Sequence, residues 1–185
     1  MKLILIVATL IALVSMSAVS GNQDSKNQAT GELRFKAPVE WTVEKPSSSM
    51  RLAQYKLPKA EGDSEDASLV LYFFGTNQGG SVQSNLERWI GQIEQPDGSS
   101  SEAKAKTETL TINQLKVSTI DLTGTYVAET APGSAVRHNN PNYRLRAAVI
   151  ETPKGAHYVK LVGPAKTISR WEKAFDSYLQ SFEFK

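Results

Sequence analysis

Cysteine is absent from the 185 residues. That excludes disulfides, thiolate metal sites and cysteine nucleophiles, and it excludes a lipid anchor attached through a cysteine after a leader. The hydrophobic core has to hold the fold without staples. Histidine is scarce as well: His138 and His157 are too few for a zinc site unless Asp or Glu completes it. No charge of one sign prevails. Lys and Arg number 21 against 19 Asp and Glu, and without Lys2 the balance is 20 against 19. This near-neutrality gives no case for nucleic acid or an anionic membrane as partner. There is no G-x-S-x-G elbow, no H-E-x-x-H and no internal repeat. A triad assembled from distant segments would leave no such trace, because it is recognised by geometry.

Long hydrophobic runs are missing apart from residues 3–14, which are too few for a membrane helix. Met1 and Lys2 give that run a positive start, and Ala18-Val19-Ser20 ends it with small residues. The pattern predicts a signal peptide over residues 1–20, cleaved near Ser20-Gly21, with an uncleaved anchor as the alternative. It implies an exported protein, periplasmic or extracellular, with no stable membrane anchor after cleavage. Residues 21–31 are polar and aperiodic, as in a flexible linker. Residues 32–185 are the size of a single domain.

The domain is organised around residues 67–93. Residues 69–74 are six apolar residues in a row and predict a strand covered on both faces. Gly75, Gly79 and Gly80 let the chain turn, and Ser81 is placed to cap a helix. Val82, Leu86, Trp89, Ile90 and Ile93 recur at helical spacing on one stripe. Alternation predicts further strands: edge pieces around Leu33 and Trp41, then residues 50–57, 107–112 and 115–127. Asn113-Gln114 joins the last two as a hairpin. Residues 143–151 and 156–163 form another hairpin. Gly124 marks a bulge or a close contact. Thr167 is placed to cap a second helix carrying Ile168, Trp171, Phe175, Tyr178 and Leu179, and residues 181–185 add a closing strand. The order gives an α+β domain, a mostly antiparallel sheet flanked by two principal helices.

Phe35, Pro38 and Trp41 in an F-x-x-P-x-x-W piece, the central hairpins, and the terminal helix running into Ser181-Phe182-Glu183-Phe184 resemble the PsbP-like and Mog-like superfamily. The resemblance covers residues 32–185 and implies a sheet sandwiched by helices, on a scaffold used for binding rather than catalysis. The finer stretches GGSVQSNLERWIGQ and YRLRAAVIETPKG resemble an uncharacterised group of bacterial exported proteins. No functional residue of either named family maps onto this chain, so neither family's activity carries over.

Four groups of residues invite chemistry. The turn from Gly75 to Ser81 approaches the glycine spacing of a phosphate-binding loop, but Ser81 stands where such a loop carries lysine. A capped turn is the better reading. Glu61, Asp63, Glu65 and Asp66 cluster without the spacing of a calcium loop, as an exposed acidic loop does. Residues 128–142 are the longest irregular stretch, and such loops carry function or move. Arg137, His138 and Arg144, together with Asn77, Gln78 and Ser81 of the glycine turn, compose a candidate positive binding rim if the sheet order brings both segments to one end. The expected function is therefore a non-enzymatic binding or accessory domain with no cofactor. Its ligand would be an envelope protein, a glycan or a small ligand. The alternatives are an envelope hydrolase and a small-ligand carrier.

Overall fold

The computed structural model describes residues 31–185, so the predicted signal peptide and most of the linker lie outside the described residues. Among the described residues no helix is long and apolar enough to cross a membrane. All strand pairings are antiparallel. The main sheet contains β2 (Thr42–Glu44), β3 (Arg51–Leu57), β4 (Ala67–Phe73), β5 (Ile93–Glu94), β6 (Lys106–Ile112), β7 (Leu115–Tyr126), β8 (Asn140–Thr152) and β9 (Gly155–Pro164). Its order is β2-β3-β4-β9-β8-β7-β5, with β6 also paired to β7. As its unbroken apolar run predicts, β4 lies inside the sheet. Separately, β1 (Leu33–Arg34) pairs with β10 (Glu183–Phe184), so the chain's closing strand clasps the domain's opening one.

The helices depart from the expected pair. The described residues hold four short segments: α1 (Val82–Ile90), α2 (Ser101–Lys104), α3 (Ala165–Arg170) and α4 (Glu172–Gln180). Ser81 caps α1 as expected, its hydroxyl accepting from the Ser84 amide at 3.1 Å. The helix ends at Gly91, so Ile93 belongs to a strand. Thr167 is no cap. It lies inside α3, fully buried, where its hydroxyl donates to Asp63 at 2.5 Å and accepts from the Ala60 amide at 2.9 Å. Its short polar side chain is used to tie the acidic loop down.

Two apolar layers cover the sheet. Leu69, Leu71, Ile150, Val159 and Leu161 face α3 and α4, meeting Ile168, Phe175 and Tyr178. Ile120, Leu122, Leu145, Ala147 and Tyr158 face α1 and its Trp89. Gly124 combines both expected roles: the ladder shifts register there, and an added Cβ would sit 2.5 Å from the Glu94 carbonyl oxygen. The segment between β7 and β8 is shorter and more ordered than its sequence implies. Glu129 and Arg137 form a β-bridge, and the Thr130 and His138 amides donate to Val136 and Ala128 at 3.0 and 2.9 Å. It is a small folded arm that leans over one end of the sheet.

Candidate functional site: a cationic groove

α1 and the 127–139 arm share the same sheet face without closing it. Between them, over β3, β4 and β9, lies a groove of about 690 Å³. Its lining carries four full cations, Arg51, Arg88, Arg137 and Lys160, with His138 beside them and one carboxylate, Glu129. That carboxylate already accepts from the Gly133 amide at 2.8 Å.

Lys160 is the centre of the groove. On β9 it stands opposite Val70 of β4 and Ala147 of β8, on the face that packs against α1. Its side chain is half-buried, and among the described residues its ammonium has only neutral partners, donating to Gln92 Oε1 at 2.5 Å and to the Tyr126 hydroxyl at 3.0 Å. It also lies 5.0 Å from the Tyr126 ring centroid, a cation–π distance. Burial, and then the nearby Arg88 guanidinium, push its pKa down to about 8. Burial, with Tyr72 adding to it, pushes the Tyr126 phenol up to about 12, so it stays neutral. A cation without a counter-ion is costly to keep out of water.

The other cations arrive for local reasons. Arg88 is in the last turn of α1, where the helix dipole favours positive charge. It donates to Oδ1 of Asn85, a fully buried residue whose amide donates to Gly79 and Ser81 carbonyls, each at 2.8 Å. Strict alternation along β3 would point Arg51 away from Lys56, to the α4 side. A register shift between Arg51 and Ala53 instead turns it to the groove side, where it lies 5.5 Å from the Tyr72 ring centroid and donates to Gln54 at 2.8 Å. One extra residue at a bulge reverses the facing of what precedes it.

Of the residues expected to form one positive rim, the structure brings only Arg137 and His138 to this groove. His138 is 5.1 Å from the Tyr126 ring, and Arg137 Nε donates to the Val127 carbonyl at 2.6 Å. Arg144 lies on the opposite face, held by Asp121, Glu172 and Ser169. Its neighbour Arg146 joins the same network through Asp121 and Asp176. Asn77, Gln78 and Ser81 lie at the far end of the sheet, where the glycine turn packs against Gly155 at the β8–β9 hairpin. The arm precedes β8 and the turn borders its end, roughly 40 Å along a thirteen-residue strand. The two segments do not share an end. Within the turn, the Tyr158 hydroxyl donates towards the Gln78 and Gly80 carbonyls at 3.3 and 3.2 Å.

The acidic loop also has structural employment. Asp66 accepts from the Lys59 amide at 2.9 Å, Glu65 from the Tyr143 hydroxyl, and Asp63 from Thr167. Among the described residues no group of three or more His, Asp or Glu is placed to hold a metal ion.

Lys160, Arg88, Arg51, Tyr72 and Tyr126 were not singled out by motif or charge clustering. The one available signal was a lysine in the run His157-Tyr158-Val159-Lys160-Leu161-Val162, with apolar residues two positions either side on its own face. Such a lysine has either an edge to point from or a site to serve.

No protein-family model matches the sequence, and no curated protein does. Among solved structures, the chain aligns with a protein of unknown function, PA94, from Pseudomonas aeruginosa. That match has 16% identity and a TM-score of 0.47, covering 77% of this chain and 95% of that one. It also aligns with the solution structure of cyanobacterial PsbP from Synechocystis, at 12% identity and a TM-score of 0.47, covering 83% and 86% of the two chains. A PsbP structure is thus among the chains that align, at a level of likeness that assigns no function. Neither match bears on export.

Proposed function

We propose that this chain is an exported, non-catalytic binding domain whose ligand site is the groove between α1 and the 127–139 arm, and that it recognises an anionic group there. One observation carries the reading: among the described residues the half-buried Lys160 has neutral partners alone, and the cations around it outnumber the single, already engaged carboxylate. A fold gains nothing in stability from such an arrangement, whereas an incoming anion would relieve it. Of the two histidines, His138 lies tilted against the Tyr126 ring, and His157 is buried and stacked on Phe73 with its Nδ1 unpartnered among the described residues. The groove also favours the small-ligand reading over a flat protein interface, since its volume falls within the range of small-molecule sites.

The test is a set of thermal melts with small carboxylates and phosphates at constant ionic strength. At least one compound is expected to raise the melting temperature saturably, to be recovered unchanged, and to lose its effect in Lys160→Met. A groove indifferent to every anion would overturn the proposal, and conversion of the compound would replace binding with catalysis.

A further inference from the structure

The groove has a second character besides charge. Val70 stands across from Lys160 on β4, and Val162 follows it by two residues on β9. Ala128, Ala131 and Pro132 supply an apolar wall from the arm. The Tyr72 and Tyr126 rings lie under the Arg51 and Lys160 cations. The groove therefore offers apolar walls in about equal measure with its polar and charged ones. α1 enters with its carboxyl-terminal end, Gly91 and Gln92, whose partial charge is negative. That end offers no free amides, and free amides are what a phosphate group uses at a helix start. The groove thus offers side-chain cations without the helix-start amides of a phosphate site, which fits a carboxylate head.

Resting on the binding reading above, we infer that the groove takes a small amphiphilic carboxylic acid: a carboxylate against Lys160 and Arg88, with an aliphatic or aromatic body along Val70, Val162 and the arm. The Tyr126 hydroxyl, which accepts from Lys160, has its own proton free to donate to the second carboxylate oxygen. Arg51, over Tyr72, closes the β3 side.

Octanoate, acetate, octanol and octyl phosphate are the probes, titrated calorimetrically into the purified protein at pH 7 and fixed ionic strength. Octanoate is expected to bind at least tenfold more tightly than acetate, because the added methylenes are buried, and at least tenfold more tightly than octanol. Lys160→Met should lose at least tenfold for octanoate. Val162→Ser, at a half-buried wall position, should weaken octanoate and leave acetate unchanged. Equal affinity for acetate and octanoate would overturn this inference and leave an anion site standing. Tighter binding of octyl phosphate than octanoate would overturn it in favour of a phosphate site. Octanol binding as well as octanoate would sink both readings, as would no binding of any probe.

Discussion

At the scale of single residues, Lys160 is where stability and function pull apart. Its folded-state pKa, about 8, lies below the ordinary lysine value. Between those values the unfolded chain holds more protons than the folded one, so stability rises as pH goes up through that window. Below about 8 the cost of the buried charge is fully present. Lys160→Met, which keeps the stem and removes the charge, should therefore stabilise the protein at pH 7 by about 1–3 kcal/mol. The advantage should shrink as pH climbs past 8 and vanish above the ordinary lysine pKa. Urea unfolding of both proteins across that range checks it, and a less stable variant at pH 7 would show that the ammonium is well accommodated. The other groups facing it, Arg88, Arg51, His138 and the neutral Tyr126, are unchanged in the variant. None of this was legible locally. A lone lysine in an apolar strand looks the same whether it reaches water at an edge or sits under a helix, and Arg51 was hidden by a bulge that no residue type announces.

At the scale of elements the sequence was far more informative, because elements are set by periodicity and turn chemistry. The β4 run, the Ser81 cap, the α1 stripe and the hairpins all stand close to where alternation and glycine put them. Asn113 and Gln114 both adopt positive φ, 47° and 69°, as a two-residue hairpin demands. The misreadings came from tertiary demands. Thr167 resembles a cap but is bonded to Asp63, and the single expected terminal helix breaks at Trp171, whose indole donates to the Pro58 carbonyl at 2.8 Å. Two substitutions test the packing that sets the groove's walls. Trp89 is 3% exposed beneath α1, so Trp89→Ala should cost about 3–5 kcal/mol in a denaturant melt. Gly124→Ala should cost about 1–3 kcal/mol, because its Cβ would strike the β5 backbone. A parent-like melt for either would remove that contact from the account.

At the scale of the whole molecule, the strand order decides which charges meet, and order across eight strands cannot be read from local pattern. It separates the arginines into two roles. Arg144 and Arg146 bind α4 to the sheet, whereas Arg51 and Arg88 open onto the groove with Lys160. Arg144→Gln should destabilise the protein by about 3 kcal/mol, since it leaves Asp121 without its principal partner on a largely covered face. The Arg144 hydrogen bond also holds the Glu172 carboxyl below its usual pKa. The stability it contributes is present above the ordinary glutamate pKa and is lost as pH falls through the lowered value. Acid sensitivity in that range should therefore diminish in the variant, as unfolding measured between neutral pH and about pH 2 would reveal. The binding function rests on the groove's central ammonium awaiting an anion. Its most direct test is the titration of the Lys160 Nζ resonance by NMR, with and without saturating octanoate. The expected result is a pKa near 8 in the free protein, rising by a unit or more when the acid binds. A value near the ordinary 10.4 in both samples would contradict it.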